Sequence, residues 1–333
     1  MGVKDPFVQS NRASRPWLLD GGFATELERR GQDLSRDHLW SASVLVNDPE
    51  SVQATHLTYF EAGADIATSC SYQASFQGFE QIGISRHGTE ELLRRSLRLA
   101  DAARSQCLGA DSDSCSTGQE RHLLVAFSAG PYGAAQADGS EYDGSYADRV
   151  TEEQLMDFHA KRLHAVAGEV ALDVVAFETI PCLKELRAIS RLMRTEFPGT
   201  PAWVSCSCKD AEHIAHGESL AEECIPVLLE ARAIRAIGVN CIPPALVAPA
   251  LQTFASKLKA EHLEGRPQLM AYPNSGEVWD AEVRGWKEDT AAGLGQFEQQ
   301  AQQWVAEGAS IIGGCCRTTP AHIRVLAQTL KQQ

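Results

Sequence analysis

Three cysteines carry the strongest chemical signal in this sequence: Cys241, in Ile237-Gly-Val-Asn240-Cys241, and the adjacent pair in Ile312-Gly313-Gly314-Cys315-Cys316-Arg317. Each stands where a short apolar run gives way to glycine or proline. Three thiolates delivered from two strand ends form a donor set for one zinc ion and leave its fourth position open, the arrangement of a catalytic rather than a structural site. Sulfur ligands suit zinc, and three anionic thiolates leave it a modest Lewis acid that still binds and deprotonates a further thiol. Taken alone, Cys241 reads equally as a buried core thiol. Two neighbouring thiols at one strand end are a rarer use of core space, and a vicinal disulfide is disfavoured in a reducing compartment.

Other chemistry-bearing residues sit at similar junctions. Asp20-Gly21-Gly22-Phe23 follows an apolar run, and its glycines either let backbone N–H groups approach a carboxylate or simply make a tight turn. Glu178 ends the apolar run Ala176-Phe177 and needs a partner, either a substrate ammonium or a neighbouring Arg or Lys. Asn240 stands beside Cys241, to hydrogen-bond substrate, orient a ligand, or satisfy loop backbone. Glu26 reads as a solvated carboxylate at a helix start. Cys206 and Cys208 are expected to face opposite ways and so not to share a metal, and His159 and His164 read as structural or exposed.

Something must bring such distant residues together. Apolar runs recur about every 40 residues, with amphipathic stretches of helical period between them. Strands are expected at Trp17–Asp20, Asp65–Ser69, Leu123–Phe127, Asp173–Phe177, Ala202–Ser205, Ala236–Asn240, Gln268–Tyr272 and Ser310–Gly313. Pro49 and Pro320 open helices behind Asp48 and Thr319 as caps, and Gly63 and Gly308 end helices. Eight βα units imply a parallel sheet, and that number favours a closed (β/α)8 TIM barrel over a doubly wound open sheet. In a barrel Asp20, Glu178, Cys241 and the Cys315–Cys316 pair leave the C-terminal ends of strands one, four, six and eight, hence one face. Cys107–Glu120 reads as a surface loop, and Gly130–Val150 and Pro273–Gly295 as inserts lying over the catalytic mouth as lids.

A chain of 333 residues, 44% hydrophobic and 22% charged, suffices for one large barrel, and residues 1–333 are expected to form one domain. A net charge of −14, from 30 Lys+Arg against 44 Asp+Glu, argues against a nucleic-acid partner. No apolar run approaches membrane-spanning length. Ten cysteines without small-scaffold spacing suggest reduced thiols, so the cytoplasm is the expected location. No Walker A loop or Gly-x-Gly-x-x-Gly turn occurs.

The blocks Leu19-Asp-Gly-Gly-Phe-Ala-Thr-Glu26, Ser71-Tyr-Gln-Ala-Ser-Phe-Gln-Gly78, Gly130-Pro-Tyr-Gly133, Ala137-Asp-Gly-Ser-Glu-Tyr142, Phe177-Glu-Thr-Ile-Pro181, Gly238-Val-Asn-Cys241, Tyr272-Pro-Asn-Ser-Gly-Glu277 and Gly313-Gly-Cys-Cys-Arg-Thr-Thr-Pro320 run through nearly the whole chain. Together they resemble the homocysteine S-methyltransferases that use S-methylmethionine, including plant-type selenocysteine methyltransferases. The resemblance implies zinc held by Cys241, Cys315 and Cys316, with homocysteine thiolate as fourth ligand. It implies that Asp20 and Glu178 contact the amino-acid ammonium, with the backbone near Gly21-Gly22 available to its carboxylate. Lacking the C-terminal extension of betaine-using tetramers, the chain is expected to be a monomer or weak dimer.

The expected reaction is methyl transfer from S-methylmethionine or S-adenosylmethionine to homocysteine, giving methionine, with selenocysteine as the alternative acceptor. Tyr142 or Tyr272, with Glu141, are candidates to hold the sulfonium. A zinc hydrolase on the same barrel and a zinc- or thiol-sensing protein are the rival readings.

Overall fold

The computed structural model describes residues 6–7, 15–34, 39–114, 121–261, 265–276, 278–280, 285–287 and 293–330. Glu277 and Cys115 lie outside them. In chain order the strands are β1 (Trp17–Leu18), β2 (Ile66–Thr68), β3 (Leu124–Ala129), β4 (Val174–Ile180), β5 (Ala202–Cys206), β6 (Ile234–Asn240), β7 (Gln268–Tyr272), β8 (Val278–Asp280), β9 (Gly285–Lys287) and β10 (Ala309–Ile312). The helices are α1 (Phe23–Arg29), α2 (Val44–Asn47), α3 (Pro49–Ala62), α4 (Phe76–Gln81), α5 (Arg86–Ser114), α6 (Tyr132–Gln136), α7 (Glu152–Val166), α8 (Leu183–Thr195), α9 (Ile225–Leu229), α10 (Pro244–Ala260), α11 (Leu294–Ala306) and α12 (Pro320–Leu330).

Eight strands pair in the order β1-β10-β7-β6-β5-β4-β3-β2, all parallel. The outer two meet as well: Asp65 N donates to Leu18 O at 2.7 Å and Asp20 N to Ile66 O at 3.0 Å, closing the barrel. Alternation along each strand divides the core in two. Trp17, Leu19, Leu124, Ala126, Val174, Ala176, Trp203 and Met270 fill the barrel interior. Leu18, Val125, Phe127, Val175, Phe177 and Val204 face the surrounding helices. The fold is the expected (β/α)8 barrel.

Local signals hold where side chains make them. Asp48 Oδ1 accepts from Ser51 N at 3.1 Å with Pro49 in the first turn of α3, and Gly63 ends it at φ 109°. A capping box opens α7, Gln154 N donating to Thr151 Oγ1 at 3.2 Å and Thr151 N to Gln154 Oε1 at 2.8 Å.

Two expectations need correction, and one insert shows structure of its own. The Asp/Ser/Gly-rich stretch from Cys107 is not a loop at its start: α5 continues to Ser114. Ala103 and Cys107 pack with Phe60, Ala67 and Leu123, and that burial carries the helix through a polar composition. Within Pro273–Gly295 an antiparallel pair, β8 and β9, forms beside the barrel sheet. Cys206 and Cys208 do not face opposite ways; residues two apart share a face, and both bury in the helix-side core.

His56, on α3, is fully buried against Phe23 at 4.6 Å between ring centroids, and neither ring nitrogen has a hydrogen-bond partner among the described residues. Burial lowers its pKa to about 3. The folded chain therefore keeps a neutral ring while the unfolded chain takes up a proton near pH ~6.5, so stability is lost as pH falls below that value. His56→Leu is expected to make the drop in unfolding free energy between pH 7 and pH 5 smaller by about 2 kcal/mol. Urea unfolding at the two pH values measures this; equal drops in both proteins would contradict it.

Candidate active site

All three cysteines reach one point at the C-terminal mouth. Cys241 follows β6 at φ 54°, a strained setting for a residue with a Cβ, and its N–H donates to Tyr272 O at 3.2 Å. Cys315 and Cys316 follow β10 in a turn pinned on several sides. Gly314 N donates to Asp20 O at 3.1 Å, Cys315 N to Pro273 O at 2.7 Å, and Thr318 N back to Cys315 O at 3.1 Å. The three Sγ atoms lie within 4.8 Å of one another, Cys241 and Cys316 at 3.5 Å, and none is in a disulfide. Sulfurs of a tetrahedral zinc site with Zn–S bonds of ~2.3 Å stand about 3.8 Å apart, so the donor set fits that metal in number, type and spacing. The sulfurs act on one another: the contacts with Cys241 and Cys315 hold the pKa of Cys316 below the usual thiol range, while the pKa values of Cys241 and Cys315 are raised.

Asp20 and Glu178 come to the same cavity, of about 120 Å³. Asp20 accepts from Thr68 N at 2.7 Å and from Thr68 Oγ1 at 3.1 Å. Burial raises its pKa well above the usual range, and the negative charge of Glu178 adds to this. Glu178 accepts from Ser128 Oγ, and burial pushes its pKa up to about 7, with the potential of Cys315 adding. Among the described residues no Arg or Lys stands among the main influences on either carboxyl.

Gly21 and Gly22 pass against the Cys315–Thr318 turn so closely that a Cβ on Gly22 would lie 2.7 Å from Cys315 O. Thr318 takes the N–H of Gly22, through its carbonyl at 3.0 Å and Oγ1 at 3.1 Å. The N–H of Gly21, on the cavity wall, has no protein acceptor among the described residues. Asn240 is fully buried. Its Oδ1 accepts from Thr179 N at 2.7 Å and Ser205 Oγ at 2.8 Å, and its Nδ2 donates to Thr179 Oγ1 at 2.8 Å and lies 3.9 Å from Cys315 Sγ. It thereby fixes Thr179 at φ 62°, which a β-branched residue does not adopt unaided.

An aromatic wall completes the cavity. Tyr72 and Tyr142 line it, and the hydroxyl of Tyr142 is within electrostatic reach of Cys316, Cys241 and Tyr72. Tyr272 lines the floor, its hydroxyl hydrogen-bonded to Ser205 Oγ and, at 3.2 Å, to Trp203 Nε1. Glu26 is not solvated as expected; it is buried and pairs with Arg29 at 3.1 Å and Arg30 at 3.3 Å. A more open surface groove, lined by Glu212, Glu222, Gln252, Ser256 and Lys257, lies elsewhere and contains neither cysteine nor histidine.

The insert 130–150 that carries Tyr142 is held by buried polar residues that local pattern does not reveal. Glu185 Oε1 accepts from Tyr132 N at 2.8 Å and contacts His159 Nε2 at 2.8 Å, while Oε2 accepts from Tyr146 OH. Arg162 Nη2 donates to Gly130 O at 2.7 Å and to His159 Nδ1 at 2.8 Å. That last bond makes Nδ1 the acceptor, so Nε2 carries the proton given to Glu185. His159 is structural, and His164 is on the surface with Glu196 at 2.7 Å. Ser128, Thr68, Tyr72, Thr179 and Ser205 are further site residues that stood out only once the barrel was closed.

Known proteins share this arrangement of chain. The family model described as Homocysteine S-methyltransferase matches residues 17–330. Homocysteine S-methyltransferase 2 of Arabidopsis thaliana is 42% identical over 94% of this chain and 92% of its own. Selenocysteine Se-methyltransferase of Brassica oleracea var. italica is also 42% identical, over 94% and 88%. Among solved structures, the metallated form of the homocysteine methyltransferase MmuM from Escherichia coli superposes with a TM-score of 0.80 at 37% identity, covering 94% of this chain and 96% of that one. With the match spanning almost the entire barrel, the chain belongs to the homocysteine S-methyltransferase family.

Proposed function

We propose that this enzyme moves a methyl group from a sulfonium donor, S-methylmethionine or S-adenosylmethionine, to the sulfur of homocysteine, forming methionine. The observation that carries this reading is three sulfurs within 4.8 Å of one another beside two buried carboxyls that have no Arg or Lys among their main influences in the described residues. Cys241, Cys315 and Cys316 would hold zinc, which when bound leaves a position for a thiol and lowers that thiol's pKa toward neutrality.

The remaining tasks fall to the chain itself. Asp20 and Glu178 bind the ammonium of homocysteine, and the N–H of Gly21 its carboxylate. Asn240 acts on the site by fixing Thr179 and the approach of Cys315. Tyr72 and Tyr142 wall off water and offer ring faces to the donor. As the acceptor sulfur attacks, a new C–S bond forms and the donor's methyl C–S bond breaks. The electron pair stays on the leaving sulfur as a neutral thioether, and the acceptor's thiol proton goes to solvent. Holding both sulfurs in line with the methyl carbon replaces a bimolecular encounter.

Selenocysteine is the second acceptor reading, favoured by the equal identity of the Brassica Se-methyltransferase. No helix among the described residues is long and apolar enough to cross a membrane.

Methyl-labelled S-methylmethionine, supplied with and without homocysteine, tests the reaction. The expected result is two methionines per turnover, one labelled, and only when homocysteine is present. Donor breakdown without a thiol would indicate the hydrolase, and no turnover with any sulfonium would indicate a sensor.

A further inference from the structure

Glu141, a candidate on sequence grounds to help hold the sulfonium, has no role in the reaction set out above. It lies on the insert 130–150, is 6% exposed, and its Oε2 has no hydrogen-bond partner among the described residues. Its charged neighbours of weight are Asp138 and Asp143, both acidic. It immediately precedes Tyr142, which lines the cavity, and its carboxylate adds negative potential at Tyr72, Tyr142 and Cys316. The position is built tightly: a Cβ on Gly133 would stand 2.6 Å from the Glu141 amide nitrogen. Two further buried polar atoms lack a partner among the described residues: Oε1 of Gln73, which follows Tyr72 and lines the cavity, and Oγ of Ser140, which precedes Glu141 in the chain. Buried acceptors left without donors are costly and call for a ligand that brings N–H groups and positive charge.

We propose that Glu141 receives the α-ammonium of the methyl donor, at a subsite separate from Asp20 and Glu178. This rests on the methyl-transfer reading above and goes beyond it by dividing two amino-acid ligands between two sets of carboxylates. The sulfonium itself is a poor match for Glu141. Its charge vanishes as the methyl leaves, so an anion against it would stabilise the ground state more than the transition state. An ammonium keeps its charge throughout and can be gripped without slowing the chemistry. The sulfonium is left to the faces of Tyr72 and Tyr142, a weaker hold on the reacting centre.

Zinc-replete wild type and Glu141→Gln are compared with S-methylmethionine and with 4-(dimethylsulfonio)butanoate, which keeps sulfonium and carboxylate but lacks the amino group. The first is read as KM and by calorimetric binding without homocysteine, the second as Ki against S-methylmethionine. Loss of a charged hydrogen bond is expected to weaken S-methylmethionine by about 10- to 100-fold. Zinc content, the KM for homocysteine and the Ki of the deamino compound should stay put, and Glu141→Asp should recover part of the loss. Equal weakening of the deamino compound would assign Glu141 to the sulfonium and overturn the proposal, as would a parallel rise in homocysteine KM. A wild type that makes no methionine yet binds S-methylmethionine through Glu141 would refute the reaction and keep the subsite. An active wild type whose Gln variant binds unchanged would refute the subsite alone.

Discussion

Cys315→Ser is expected to lose bound zinc and methionine formation together, with activity down by more than about 100-fold, beyond the 10–100-fold typical when only a partner of a ligand is removed. A serine hydroxyl is a harder donor than a thiolate and does not ionise near neutral pH. The fold should survive, because Cys315 is partly exposed and the turn around it is held by backbone bonds to Pro273 and Thr318. Elemental analysis and far-UV circular dichroism on the same samples separate metal loss from misfolding. A folded variant that keeps a full complement of zinc and its activity would remove Cys315 from the metal site.

Glu178→Gln should act on the substrate and leave the metal. The amide keeps the shape and still accepts from Ser128, but it cannot balance an ammonium. Removing a charged hydrogen bond of about 2 kcal/mol corresponds to a rise of roughly 30-fold in the KM for homocysteine. Zinc content and the KM for S-methylmethionine should hold, which sets this variant apart from both Cys315→Ser and Glu141→Gln. Unchanged homocysteine kinetics would reject the ammonium role.

The barrel was legible because each strand buries both faces and reads as an apolar run, and because glycines and capping residues punctuate the helices. The cysteines were legible because two adjacent thiols at a strand end are rare. Their meeting with Cys241 was not a local property; it follows from the barrel, which returns the ends of β6 and β10 to one face. Roles for Asp20 and Glu178 came from family resemblance, and the structure adds their burial, their mutual repulsion and, among the described residues, no Arg or Lys among their main influences.

What stayed hidden depends on contacts far apart in sequence. Asn240 is tied to Thr179 and Ser205 on β4 and its neighbour β5, so no window around Cys241 shows that its amide is already occupied. Glu185 looks like an ordinary helix-start carboxylate until His159, Tyr132 and Tyr146 converge on it. The polar composition after Cys107 concealed the continuation of a helix whose buried side includes Leu93, Leu97, Ala100, Ala103 and Cys107. Glu26 differs, since its pairing with Arg29 and Arg30 is local, at spacings of three and four residues along α1 and its end.

The most direct test is a titration of cobalt-substituted enzyme with homocysteine, following the sulfur-to-cobalt charge-transfer band. A trio of cysteines that holds the metal open to one more sulfur predicts that the band grows and saturates at one homocysteine per chain, with methionine giving no such change. A spectrum that ignores homocysteine, in protein that still makes methionine, would contradict activation of the acceptor at Cys241, Cys315 and Cys316.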